Sequence, residues 1–299
     1  MIAPDGSGGG EEAVVAEGWT WDETLFAGTA VHYERGRLPY APALVPRLAE
    51  VLALDGTGRL LDVGCGPGTL TLPLSHLFAE VVGVDPDPGM IAEAARRAAG
   101  GEAAGKVRWV RLRAEGLPGG LGTFTVAAFA QSFHWMDRDP VAAAVHRMLV
   151  PGGALLHVSD MKSERRGVEG LPYPAVPYPA VVELVKEYLG PVRRAGRGVL
   201  PRGTPSGEAA VLARAGFLGP ERHVVPGGQA LEREVDDVVA WVLSLSSSAP
   251  GLFGERLGAF EADLRGLLWS RSREGRFSAR VPGTEVFVWR TPGSGRPSR

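Results

Sequence analysis

Residues 60–69, with the sequence LLDVGCGPGT, constrain the fold of this 299-residue chain more than any other segment. The apolar run predicts a buried strand, the three glycines after it predict a tight turn, and residues 70–78 predict a helix. Such a turn brings bare backbone N–H groups and a helix N-terminus towards a bound anionic or polar group. The segment therefore predicts an α/β domain with a ligand-binding loop after its first strand.

An acidic residue ends the next predicted strand and narrows the choice of ligand. The apolar run at residues 81–84 ends in Asp85, twenty-one residues beyond Gly64. A carboxylate at the tip of the second strand is well placed to accept two charge-assisted hydrogen bonds from the diol of a ribose. Its alternative role is to cap the helix that starts after Pro86. Loop and carboxylate together predict a cofactor that contains adenosine or a similar nucleoside.

Alternating strand and helix patterns predict a doubly wound, Rossmann-like α/β fold with a seven-stranded, mostly parallel sheet. The predicted strands are 59–63, 81–84, 107–112, 124–130, 154–158, 221–225 and 285–290, and the helices between them are 40–54, 69–78, 88–99, 139–149 and 207–215. We expect a flexible tail at 1–18, a cofactor-binding core at 19–160, the rest of the core at 207–292 and a second flexible tail at 293–299.

Two insertions interrupt this alternation. Residues 161–206 are rich in proline and tyrosine with a short helix near 180–189, and residues 235–270 hold helices at 235–245 and 252–268. Because ligands bind at the carboxyl ends of parallel strands, we expect the insertions to form a helical lid over that edge. The last helix should bury Phe253, Leu257 and Phe260 over the mouth of the cleft.

The spacing of the loop argues against two other nucleotide-binding motifs. The dinucleotide fingerprint has glycine at its first, third and sixth positions; Gly64 and Gly66 fit the first two, but Thr69 occupies the sixth. The sequence contains no Gly-Lys-Ser/Thr, so a phosphate-binding P-loop is excluded.

The segment resembles the first motif of the class I S-adenosylmethionine-dependent methyltransferases, whose usual form is close to LDVGCGTG. The resemblance continues in order through residues 81–90 (VVGVDPDPGM), 107–118 (VRWVRLRAEGLP) and 123–136 (TFTVAAFAQSFHWM), and includes Pro-Gly-Gly at 151–153. It covers about half of the chain and is similar to the type 11-like, small-molecule members. It implies S-adenosylmethionine as the cofactor.

The resemblance also implies which residues contact the cofactor. The loop glycines should lie under its methionine part, Asp85 at its ribose, and the backbone of Ala114 at its adenine. Arg113 stands where the family has an acidic adenine contact, so Glu115 is either its substitute or a solvated carboxylate. Arg37 is either a partner of the methionine carboxylate or a surface residue. The full expected set is Tyr33, Arg37, Gly64, Cys65, Gly66, Gly68, Asp85, Pro86, Met90, Ala114, Glu115, Ala130 and Gln131.

His134, three residues after Gln131, is the candidate catalytic residue. It would act as general base if a hydroxyl or ring nucleophile needs deprotonation; a packing or cofactor role is the alternative. The other histidines show no metal-ligand spacing, and we expect no metal. Tyr173 and Tyr178 are candidate substrate contacts, whereas Trp241 and Trp269 fall on helical stripes and are expected in the core.

Composition limits the partners. A net charge of −2 provides no basic field for nucleic acid or an anionic membrane. The single cysteine, Cys65, is typical of a reducing cytoplasm, and the longest apolar run is too short to span a bilayer. We therefore predict a cytoplasmic monomer or homodimer that acts on a small molecule, with no nucleic-acid or membrane partner.

Methyl transfer to O, N or C of a small molecule is the leading functional hypothesis. Alignment of the reactants can supply about 7–11 kcal/mol of the barrier, so catalysis by alignment and desolvation requires no dedicated residue. The alternative is a relative of the fold that binds adenosylmethionine without methyl transfer, as a cyclase or a binding protein. A nucleic-acid methyltransferase is disfavoured because residues 131–134 are Gln-Ser-Phe-His rather than Asn/Asp-Pro-Pro-Tyr.

Overall fold

The computed structural model describes residues 22–101, 103–161, 167–196, 198–199 and 206–293. The expected N-terminal tail (1–18) and all but the first residue of the expected C-terminal tail (293–299) lie outside these ranges. None of the helices within them is long and apolar enough to cross a membrane.

The described residues form eleven strands, numbered along the chain. They are β1 (Arg59–Val63), β2 (Glu80–Asp85), β3 (Val107–Arg111), β4 (Phe124–Ala130), β5 (Leu149–Asp160), β6 (Arg194–Ala195), β7 (Gly198–Val199), β8 (Leu218–Val225), β9 (Ala230–Glu234), β10 (Arg276–Arg280) and β11 (Thr284–Arg290). Seven of them form the main sheet in the order β3-β2-β1-β4-β5-β11-β8. Strands β1 to β5 pair in parallel, and β11 runs antiparallel to its neighbours β5 and β8. The predicted seven-stranded, mostly parallel α/β sheet is confirmed.

Nine α-helices occur in the same part of the chain. They are α1 (Ala30–Gly36), α2 (Leu44–Leu52), α3 (Thr71–Leu74), α4 (Pro88–Ala98), α5 (Arg138–Met148), α6 (Tyr178–Leu189), α7 (Glu208–Arg214), α8 (Val235–Leu243) and α9 (Leu257–Arg271). The predicted helix at 69–78 is reduced to α3 and a 3-10 turn at Ser75–Leu77. The predicted helix at 252–268 starts only at Leu257, because Gly254, the first residue of a 3-10 turn at Gly254–Arg256, takes a positive φ of 54°.

Strand β1 shows why the sequence folds this way. Its Leu60, Leu61 and Val63 are fully buried on both faces of the sheet, as expected for a central parallel strand covered by helices on each side. Two apolar clusters result. One contains Phe124, Phe129 and α5, and the other contains Leu44 and Leu48 of α2. The sheet is thereby fixed, and the carboxyl ends of its parallel strands meet at one edge.

Helices α6, α8 and α9 form a separate apolar core beside this edge. Phe253 and Phe260 stack with ring centroids 4.1 Å apart and are buried in a cluster with Val238 and Val242 of α8. Their stripe faces α8 rather than closing over the mouth of a cleft, so that expectation is wrong. Trp269 is also not in the core: it is 53% exposed and lies over Gly275.

Helix α1 is joined tightly to α8. A Cβ on Gly36 would come within 2.5 Å of the backbone of Ala240, so only glycine allows this approach. The buried guanidinium of Arg233 donates to the carbonyl oxygens of Gly36 at 2.9 Å and Asp237 at 2.7 Å. The small antiparallel sheet of β9 and β10, which the sequence did not predict, holds Arg233 in place. Helices α1 and α8 therefore form one packed unit.

Candidate cofactor and substrate site

The glycine-rich loop after β1 is held against β2. The backbone N–H groups of Gly64 and Cys65 both donate to the carbonyl oxygen of Val84, at 2.8 and 3.0 Å. The three glycines have φ values of 70°, 53° and 78°, a region that other residues rarely adopt. A Cβ added to Gly66 would meet nothing nearer than the Met90 sulfur at 4.0 Å, so Gly66 faces open space.

The other two loop glycines are required by packing. A Cβ on Gly64 would lie 2.5 Å from the Cβ of Ser132, and one on Gly68 would lie 2.8 Å from the Trp109 ring. Gly64 still borders the cavities described below, whereas Gly68 borders neither. Gly68, expected beneath the cofactor, instead makes room for the indole of β3.

The Asp85 carboxylate lies at the end of β2 and points into the loop. Its Oδ2 accepts from the N–H of Gly66 at 2.9 Å, and its Oδ1 accepts from the N–H of Asp87 at 2.9 Å. Burial raises the pKa of Asp85 to about 6, against the lowering effect of these two hydrogen bonds. Helix α4 is capped by Asp87, which accepts from the N–H of Met90 at 2.8 Å. The capping role considered for Asp85 therefore belongs to Asp87.

A second buried carboxyl, Asp62 in β1, was missed by sequence reasoning. The Thr71 hydroxyl donates to its Oδ2 at 2.6 Å, and its Oδ1 has no partner among the described residues. Burial raises the pKa of Asp62 to about 7, and the charge of Asp85 adds to the effect. A polar residue inside the apolar run LLDV is the signal that could have drawn attention to it.

A cavity with about 750 Å³ of empty space opens beside the loop at the ends of β1, β2 and β4. It combines an apolar slot, formed by Met90, Leu112, Ala114 and Met136, with the Asp85 carboxylate. Ten of the thirteen expected cofactor residues line it: Tyr33, Gly64, Gly66, Asp85, Pro86, Met90, Ala114, Glu115, Ala130 and Gln131. The geometry suits a flat ring attached to a sugar.

A second cavity, with about 1320 Å³ of empty space, adjoins the first. The two share a wall of seven residues: Phe26, Tyr33, Gly64, Gly66, Ala130, Gln131 and Trp135. Of these two cavities, Arg37, Cys65 and His134, also named from the sequence, line only the second. Trp241, expected in the core, also lines it, together with residues that were not named for the site: Tyr40, Asp160, Arg193, Ser246 and Ser247. Of these, only Asp160 had a visible signal, because it ends β5 at the ligand edge.

Comparison with known proteins identifies the domain. Residues 60–153 match the family model described as a methyltransferase domain. Residues 60–153 therefore belong to a methyltransferase domain, and their motifs are similar to those of the class I S-adenosylmethionine-dependent family. S-adenosylmethionine is the cofactor of that family.

Two curated relatives are similar to the methyltransferase domain. An uncharacterized methyltransferase of Mycobacterium tuberculosis is 35% identical over 147 residues, which are 49% of this chain and 56% of the relative. A protein-L-isoaspartate O-methyltransferase of Anaeromyxobacter dehalogenans is 36% identical over 137 residues, 44% of this chain and 63% of the relative. The chain thus spans less than two thirds of the length of these relatives.

Among solved structures, a SAM-dependent methyltransferase from Thiobacillus denitrificans in complex with S-adenosyl-L-homocysteine is 18% identical. It superposes with a TM-score of 0.44, over 88% of this chain and 96% of that chain.

Arg37 is fixed at the second cavity and is not a free surface residue. Its Nη2 donates to the carbonyl oxygen of Ser244 at 2.7 Å, and its guanidinium lies 4.7 Å from the centre of the Tyr33 ring. Its Nε is buried without a hydrogen-bond partner among the described residues. A buried N–H of this kind is costly unless a ligand accepts from it.

The Phe-His-Trp sequence after β4 is divided between the core and the cavities. Phe133 is fully buried, Trp135 lines both cavities, and His134 lines only the second. Gln131 begins this turn with a φ of 58°, a left-handed conformation that few residues other than glycine adopt. His134 therefore lies on the far side of the shared wall from Asp85.

Glu115 lines the first cavity but has protein partners on both oxygens. Its Oε1 accepts from the N–H of Asp137 at 3.0 Å, and its Oε2 pairs with Arg113 at 3.2 Å. Because both carboxylate oxygens of Glu115 already have partners, the backbone of Ala114 is more readily available than Glu115 to contact an adenine ring.

Tyr173 and Tyr178 line neither cavity. The Tyr173 hydroxyl accepts from Arg276, and Tyr178 packs edge-on against Trp241 with ring centroids 4.9 Å apart. Trp241, which was expected in the core, is thus one of the aromatic side chains that line the second cavity, and Tyr178 packs against it.

Proposed function

We propose that this protein transfers the methyl group of S-adenosylmethionine to an O, N or C atom of a small molecule. The observation that carries the proposal is the shared wall between the two cavities. On one side lie the loop, the apolar slot and Asp85; on the other lie His134, Trp241 and Asp160. A methyl group held at this wall is exposed to an acceptor in the second cavity.

The residues present fit the cofactor. The carboxylate of Asp85 would accept from the ribose hydroxyls, and Gly66 leaves the space that a close approach needs. The unpaired Nε of Arg37 would donate to the carboxylate of the methionine part. When bound, the cofactor supplies an electrophilic methyl group on a sulfonium.

The chain's own contribution is alignment and exclusion of water. Phe26, Tyr33 and Trp135 border both cavities and would shield the reacting atoms from solvent. Holding donor and acceptor in line can supply about 7–11 kcal/mol of the barrier. His134 would take the proton from a hydroxyl or ring nitrogen that must be deprotonated before or during transfer.

A small acceptor is supported by the shape and charge of the protein. The second cavity is bordered by α8 and the residues after it, which narrow access to the wall. The net charge of −2 offers no field for nucleic acid. The buried, unpaired thiol of Cys65 supports the prediction of a reducing, cytoplasmic environment.

Transfer of a labelled methyl group tests the proposal against its alternative. We expect the protein, incubated with methyl-labelled adenosylmethionine and a protein-free small-molecule extract, to move label into low-molecular-weight products. The Gly66→Val variant, in which the added side chain fills the cofactor cavity, should move none. Tight cofactor binding, with no label transferred to any molecule in a broad set of extracts, would instead favour a cyclase or a binding protein.

A further inference from the structure

A third cavity lies in the helical region, between α6 and the end of α8, with about 770 Å³ of empty space. Its walls are mainly aliphatic. Val181, Val185 and Leu189 of α6 face Val242 of α8 and Leu245. Its polar lining consists of Lys186, Arg193, Arg194, Ser247 and Ser248, and no aspartate or glutamate is among the described residues that line it. The aliphatic part of such a site binds the apolar part of a ligand.

This cavity adjoins the second cavity, and four residues border both. Arg193, Trp241, Leu245 and Ser247 line both. The second cavity therefore supplies a polar end next to the glycine loop, and the third cavity supplies an apolar end between α6 and α8. A single elongated molecule could occupy both cavities by passing Trp241.

The rim of the third cavity exposes apolar side chains to solvent. Val182 is 45% exposed and Val192 is 44% exposed, and both line the cavity. They are two of only six large hydrophobic side chains that are exposed in the described part of the chain. Apolar side chains clustered at a groove that leads to a ligand site mark a surface that the ligand covers.

We propose that the acceptor substrate is amphipathic, with the methyl-accepting group on a polar head in the second cavity and an aliphatic chain in the third. This inference rests on the proposed function and specifies its substrate class. The aliphatic chain would cover Val182 and Val192, and its first carbons would pass between Trp241 and Leu245. Arg193, which borders both cavities, would face the polar end of the head group.

Chain length is the property that tests this proposal. Each buried methylene contributes about fourfold in affinity, reduced by the cost of ordering the chain. The probes are ethyl and octyl 4-hydroxybenzoate, which share a head group and differ only in the chain. Calorimetric titrations are made with and without the demethylated cofactor. We expect the octyl ester to bind at least about 100-fold more tightly than the ethyl ester.

A blocking variant and a matched control locate the effect. Val182→Trp should fill the mouth of the third cavity. It should leave the affinity for the ethyl ester unchanged and reduce the affinity advantage of the octyl ester to about fivefold or less. Val224→Trp places the same side chain on β8, at a position 42% exposed and outside the cavities, and should keep the full advantage.

Equal binding of the two esters, no binding of either, or a full octyl advantage in Val182→Trp would overturn the proposal. The cofactor titration in the same samples separates the two claims. Cofactor binding without a chain-length preference rejects only the amphipathic substrate. A chain-length preference without cofactor binding rejects the methyltransferase function and leaves the third cavity only as a site for an aliphatic chain.

Discussion

Replacing Asp85 by alanine probes the cofactor site most sharply, because its carboxylate is expected to hold the ribose. In the free protein the two oxygens accept from the N–H groups of Gly66 and Asp87. Both oxygens retain further acceptor positions, which the ribose hydroxyls would use. The alanine variant loses this contact and keeps the rest of the cavity.

The size of the effect follows from the contact. Removing one partner of a buried, charged hydrogen-bonded pair costs about 2–5 kcal/mol. At about 1.4 kcal/mol per factor of ten, the affinity for adenosylmethionine should fall by about 30-fold to about 4,000-fold. Isothermal titration calorimetry measures it, and thermal melting followed by circular dichroism shows whether the variant is folded. Asp139→Ala, at an exposed carboxylate on α5, is the control and should bind normally.

The pH dependence gives the same prediction a second readout. Burial raises the pKa of Asp85 to about 6, so its carboxyl becomes protonated below that pH. Adenosylmethionine affinity of the parent protein should therefore fall as the pH decreases from 7 to 5. Asp85→Asn, which is uncharged at every pH, should bind more weakly and lack this decline. Near-normal affinity in Asp85→Ala, or an unchanged pH profile in Asp85→Asn, would refute the ribose contact.

The remaining predictions concern the supporting residues. Burial raises the pKa of Asp62 to about 7, so the folded protein keeps a proton that the unfolded chain loses near pH 4. The free energy of unfolding should therefore fall by about 3–4 kcal/mol as the pH rises from 4 to 7. Chemical denaturation of Asp62→Asn should show a smaller fall. Gly36→Ala should destabilise the protein by about 1–3 kcal/mol and weaken cofactor binding, because α1 carries Tyr33 and positions Arg37 directly after it. Gly251→Ala, in open space, should do neither in the same melting and titration assays. His134→Gln should slow label transfer without changing cofactor affinity, and an equal loss of both would contradict its placement at the acceptor.

The core of the fold is local in sequence, which is why it could be predicted. Strand β1 is apolar on both faces, its glycines need positive φ, and Asp85 ends the next strand, so pattern and turn chemistry agree. The family resemblance implied thirteen cofactor residues, and twelve of them line the two adjoining cavities.

The parts that could not be predicted depend on contacts between distant segments. The stripe of α9 is visible in sequence, but nothing local shows that its partner is α8 rather than the cleft. Strands β9 and β10 are short and carry charged residues, and the buried position of Arg233 depends on α1, about 200 residues earlier. Gly68 was assigned to the cofactor because a motif does not show which glycine faces a ligand and which faces Trp109.

The central claim is that the loop and Asp85 form a site for adenosylmethionine, and calorimetric titration of the full chain tests it most directly. We expect adenosylmethionine and its demethylated product to bind with micromolar dissociation constants and NAD to give no heat of binding, because Thr69 breaks the dinucleotide spacing. Tight binding of NAD together with no binding of adenosylmethionine would contradict the account.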